Sequence, residues 1–123
     1  MSQSTPIMHV SVASASDLST TGQYRFVKKN TTSGKLELAG SNLMPLGILQ
    51  DKPDADGVAG LVCIGGTSKL KLGGTVAIGD MLISDSSGDA VKTGAAGMVG
   101  AIAMEAGVDN DIIEVLVIHL YVA

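Results

Sequence analysis

Apolar and polar residues alternate in short stretches along most of this chain, and glycine, proline, asparagine and aspartate punctuate the gaps. Met8, Val10 and Val12 fall on one side of an extended backbone and His9 and Ser11 on the other, which predicts a first strand. Residues 23–28 and 35–39 flank the polar segment Lys29-Asn-Thr-Thr-Ser-Gly34 and predict a hairpin, with Tyr24, Phe26, Leu36 and Leu38 turned to the core. Further strands are expected within 43–50, interrupted by Pro45, at 58–64, at 67–72 between Gly65-Gly66 and Gly73-Gly74, within 75–83, and at 90–92. Two near-continuous apolar runs follow, at 98–104 and 112–122. In the last, Leu116, Ile118 and Leu120 point one way and Val115, Val117 and Tyr121 the other, so both faces need cover. No stretch sustains a helical period, and residues 14–20, the best short candidate, read equally as a loop. Roughly ten strand-like segments with turn signals every 8 to 12 residues or so predict a mainly β chain, a compact barrel or sandwich with little helix.

A chain of 123 residues fits a single domain. It is 46% hydrophobic yet has one Phe, two Tyr and no Trp, so its apolar mass is Val, Ile, Leu, Met and Ala. Such side chains, with 16 Gly, suit closely packed sheets. So much apolar surface is hard for one small domain to cover, which predicts a homo-oligomer in which part of it lies between copies. That surplus alone is as compatible with a dimer as with a trimer. Ser2, Gln3, Ser4, Thr5 and Pro6 bury too little to offset ordering entropy, so residues 1–7 are expected to be a mobile arm and 8–123 a single β-rich domain.

A formal charge of −4, with basic residues scattered along the sequence, argues against a nucleic-acid partner. Cys63 is the sole cysteine, which excludes an intrachain disulfide and a thiolate metal site, and its apolar neighbours predict a buried, inert thiol. The first residues lack the pattern of a secretory signal. The last apolar run carries Glu114 and His119 and falls short of the roughly 20 residues of a membrane-spanning helix.

His9 and His119 have no acidic or thiol neighbour at a spacing that builds a metal site or an acid–base pair, so both are expected to be structural. Asp51, Asp54 and Asp56 before Gly57 outline a calcium loop, but Lys52 and Cys63 occupy its first and last ligand positions. Gly65-Gly-Thr-Ser-Lys69 lacks the ending of a phosphate loop. Ala103-Met-Glu-Ala106 has no lysine to carry biotin or lipoate, Asn30-Thr-Thr32 reads as a hairpin loop, and no nucleophile elbow occurs. These readings predict no enzyme activity and no cofactor; binding is the expected function.

Gly47-Ile-Leu-Gln-Asp-Lys-Pro53, Gly73-Gly-Thr-Val-Ala-Ile-Gly-Asp-Met-Leu82, Gly88-Asp-Ala-Val91, Val99-Gly-Ala-Ile-Ala-Met-Glu-Ala106 and Ile113-Glu-Val-Leu-Val117, in this order and spacing, resemble the phage capsid decoration (cement) protein family. The resemblance covers about residues 20–118. It implies a small β-tulip-like domain, made in the bacterial host cytoplasm, that binds the major capsid protein on the outer surface of the head. It also implies a homotrimer that stabilises the expanded shell, with no direct contact to nucleic acid or membrane. On that reading Ser2, Gln3, Ser4, Thr5, Pro6, Ile7, Met8, His9 and Val10 are the expected capsid contacts, ordering on the shell by strand addition. Gly79 and Asp80 are expected to shape a turn, not to touch the shell. The alternatives are another virion module, such as a head fibre base or a tail-associated protein, and a β-clip small-molecule binder or enzyme with a polar pocket between subunits.

Overall fold

The computed structural model describes residues 6–93 and 96–122. Among them lie nine strands and no helix: β1 (Pro6–Ala13), β2 (Phe26–Lys29), β3 (Leu36–Leu38), β4 (Gly47–Leu49), β5 (Ala59–Lys71), β6 (Met81–Ser84), β7 (Ala90–Lys92), β8 (Gly97–Ala103) and β9 (Ile112–Val122). They form one antiparallel sheet in the order β3-β2-β4-β5-β9-β8-β6-β7, with β1 added to β5.

The long strand β5 organises this sheet. Its first half pairs with β1 and β4, through Val10↔Val62, His9↔Cys63, Ile48↔Cys63 and Leu49↔Val62. Its second half pairs with β9, beginning at Gly66↔Val117. The sequence predicts a break at Gly65-Gly66, but the strand runs through it. Gly66 takes φ 88°, a value that a side chain would strain, and the ladder to β1 ends at the residue where the ladder to β9 begins. The glycine pair thus marks a change of partner within one strand instead of a turn.

Alternation on these strands feeds two cores. Phe26, Ile48, Cys63, Leu70, Leu82, Ala101, Ala103, Ile113, Val115 and Val117 pack into the larger. Their neighbours Val27, Leu49 and Val62 point to the opposite face, where Leu36, Leu18 and the half-buried Val10 and Val12 join them. Both faces of the β2–β4–β5 region are therefore buried, as its unbroken apolar character requires.

The sheet curls until its ends meet, which makes it barrel-like. The closure runs through loops: Phe26 N–H donates to Gly88 O at 2.8 Å, Asn42 N–H to Ser84 O at 2.9 Å, and Met98 N–H to Asn42 Oδ1 at 2.9 Å. Arg25 of the strand-leading turn faces Asp89 of the β6–β7 hairpin, with Nε 3.0 Å from Oδ1. The curl brings the ring of Phe26 onto β8 at Gly100, where a Cβ would lie 2.7 Å from both the ring and Pro45 Cγ.

Other expectations need adjustment. Tyr24 does not face the core; it precedes β2 in a left-handed conformation, φ 62°, and is half-buried. β4 is three residues long because Pro45 delays it, and only 81–84 of the expected strand at 75–83 are extended. β1 begins at Pro6, so the expected arm and the first strand overlap by two residues.

Gly100→Ala is expected to destabilise the fold by roughly 1–3 kcal/mol, the usual range for overpacking, because neither the Phe26 ring nor Pro45 can retreat without opening the closure. Urea denaturation checks this, and an unchanged midpoint would contradict the contact.

Candidate functional site

Residues paired across an antiparallel ladder share one side of the sheet. The ladders set Lys71 beside Ile112, Lys69 beside Glu114, Thr67 beside Leu116, Leu116 beside Ile102, and Ile102 beside Met81. The intervening pairs, such as Ser68 with Val115 and Val115 with Ala103, turn into the core. One side of β6, β8 and β9 is thus lined by Ile112, Leu116, Ile102 and Met81, with Glu114 between Ile112 and Leu116, and the pair Ile83 and Val91 continues it onto β7. Leu116 remains 40% and Ile112 44% exposed, so this largely apolar band has no complete cover among the described residues. β9 carries one extra residue opposite Gly100, and from that bulge His119 Nε2 reaches Leu46 O at 2.8 Å. Beyond it Met98 pairs with Tyr121, which is 63% exposed.

Of the nine expected capsid contacts, Ser2, Gln3, Ser4 and Thr5 lie outside the described residues. Pro6, Ile7, Met8, His9 and Val10 belong to β1. Val10 packs against the smaller core, while Met8 and His9 are exposed. Among the described residues β5 is the one strand paired with β1, so the other side of β1 is an open edge. The strand expected to form on a partner is already part of this sheet. What it offers outward is an edge and the Met8 and His9 side chains.

Gly79 and Asp80 sit together in the turn before β6. Gly79 has φ 89°, its N–H donates to Ala103 O at 2.8 Å, and Asp80 Oδ2 accepts from Ala77 N–H at 2.8 Å. Asp80 O accepts from Ala103 N–H at 2.9 Å, which fastens the turn to the end of β8.

A feature not visible in the sequence is a recess of about 440 Å³ walled by Ser19, Thr20, Gln23, Tyr24, Arg25, Lys52, Lys71 and Ile112. At its edge Lys69 Nζ lies 5.6 Å from the centre of the Tyr24 ring, close enough for a cation–π contact. Half of the basic residues are therefore neighbours in space although scattered in sequence. A second open recess, of about 420 Å³, is mainly apolar and involves Leu43, Met44, Pro45 and Leu46.

Burial pushes the Asp89 carboxyl above its ordinary value, opposed by the adjacent Arg25 guanidinium, and burial also raises the Cys63 thiol. Cys63 is fully buried, with Sγ 3.1 Å from Gly65 O. His9 and His119 stand on different strands. Among the described residues, no three His, Cys, Asp or Glu side chains come close enough to hold a metal ion.

No family model and no curated protein matches this sequence. The fold, however, is similar to a solved structure, the head fiber gp8.5 N base of bacteriophage phi29, with a TM-score of 0.72 and 16% identity over 90% of this chain and 93% of that one. The chain shares that fold.

Nothing crowds the position that a Gly79 side chain would fill, so the cost of replacing it comes from backbone conformation alone. Gly79→Val is expected to cost about 2 kcal/mol, whereas Gly79→Asn, which tolerates this region, should melt close to the unaltered protein. Equal melting of all three by circular dichroism would contradict the turn assignment.

Proposed function

We propose that this chain is a structural module of a phage virion, held on the outer surface of the head as a homotrimer. It binds the major capsid protein and stabilises the expanded shell. The observation that carries this reading is the likeness, over 90% of the chain, to the base of a phage head fibre. The incompletely covered apolar band on β6, β8 and β9 supports self-association, because burying its remaining apolar surface contributes about 25 cal/mol per Å².

A passive fastener needs no reaction centre. Contacts that exist only on the assembled shell stabilise the shell by mass action. Several such contacts, linked by the symmetry of an oligomer, hold together far more tightly than one. The open edge of β1, with Met8 and His9 facing outward, suits main-chain pairing with a capsid strand.

A second reading is favoured by one specific observation: the likeness extends over 93% of the phi29 head fibre base. On that reading the module anchors a longer appendage, and shell stabilisation is incidental.

Mixing purified protein with expanded heads that lack it tests both readings. The decoration reading expects saturation at a threefold-compatible ratio of copies to capsomers and heads that resist heating better. Binding without added heat resistance favours the fibre base, and no binding contradicts both. Because Pro6 and Ile7 belong to β1, the informative truncation removes residues 2–5 only. It is expected to lower head occupancy without altering the melting temperature of the free protein; full occupancy would remove the arm from the contact.

A further inference from the structure

Three cationic side chains, Arg25, Lys52 and Lys71, line the 440 Å³ recess beside Ile112, and among the described residues no acidic side chain shares its wall. Arg25 is fixed from behind by Asp89. Lys52 and Lys71 have no carboxylate within ion-pair distance among the described residues, although Asp89 also attracts Lys71 at longer range. The floor is positioned by an uncommon backbone: Tyr24 is held at φ 62° by its N–H to Leu49 O at 2.8 Å and by Lys71 N–H donating to its carbonyl at 2.7 Å. A bulky residue takes this conformation when its surroundings fix it, and such residues gather at binding sites.

We propose that this recess docks an acidic peptide segment of another protein, with carboxylates received by Lys52, Lys71 and Arg25 and an apolar flank resting on Ile112. Three features select that occupant. The cations converge on one pocket and do not form a stripe, and the chain as a whole carries −4, which disfavours a nucleic-acid backbone. Ile112 forms part of the recess wall itself, so a segment mixing acidic and apolar residues matches the recess without reaching the rest of the outer band. A second copy of this chain is a poor source, because its acidic side chains are largely engaged at home. Asp17, Asp51, Asp80, Asp85, Glu105 and Asp111 each accept from a backbone N–H, and Glu37, Asp56 and Asp89 face Lys28, Lys35 and Arg25. The site stands independently of the virion reading, although on that reading the partner is the shell protein.

Fluorescence anisotropy with a labelled peptide alternating Asp and Val tests the proposal, with a Ser–Val peptide and oligothymidylate as comparisons. The acidic peptide is expected to bind, to weaken with salt, and to lose about tenfold in affinity on Lys52→Glu or Lys71→Glu. The same reversal at Lys29, which lies outside this recess, should leave affinity within about twofold. Circular dichroism melts establish that each variant is folded. Absent binding, tighter binding of oligothymidylate, or equal losses in all three variants would each overturn the proposal. So would a change of oligomeric state in Lys71→Glu without loss of peptide binding, which would assign the recess to a second copy. Head binding by these variants is a separate readout: its failure in the unaltered protein would sink the virion reading while leaving the peptide result in force.

Discussion

A β-sheet has two faces, and over β6, β8 and β9 this chain covers only one of them. The inner face is sealed by Leu82, Ala101, Ala103, Val115 and Val117, whereas the outer face shows Met81, Ile102, Ile112 and Leu116. At the other end of the sheet, around β2, β4 and the first half of β5, the chain supplies its own second core from β1, Leu18 and Leu36. One chain thus contains a finished half and an unfinished half. The apolar part of the outer band is exposed to water, and burying such surface is favourable.

The change of partner along β5 creates this asymmetry. Up to Gly66 the strand lies between β4 and β1, and beyond it the strand pairs with β9. The curl that follows brings Phe26 against Gly100 and ties Asn42 to Ser84, so the sheet closes on loops and not on a strand ladder. β1, which pairs with β5 alone among the described strands, keeps one open edge, on the same strand as Met8 and His9. An open edge and a partly open face thus lie on one small module, whose fold is similar to that of a phage head fibre base.

Much of the architecture was legible in local pattern. The alternation of 112–122 located β9 in full, and the polar insert at 29–34 located the β2–β3 hairpin, because both depend on short-range chemistry. The Gly65-Gly66 pair misled, since two glycines signal a turn locally and only the ladders on either side make them a pivot. Tyr24 fitted a strand pattern but was pulled out of it by hydrogen bonds to Leu49 and Lys71, partners far away in sequence. The grouping of Arg25, Lys52, Lys69 and Lys71 had no local signal at all, as each comes from a different turn or strand position and meets the others only after the sheet curls. Of the expected contact stretch, Met8 and His9 are outward-facing, while Val10 is committed to the smaller core.

Sedimentation equilibrium over a wide concentration range tests most directly whether the outer band is covered by another copy of the chain. A discrete oligomer is expected at micromolar concentration, falling to folded monomer when Leu116→Glu adds a second charge to the band beside Glu114. A stable monomer at every concentration, with Leu116 open to water, would contradict this.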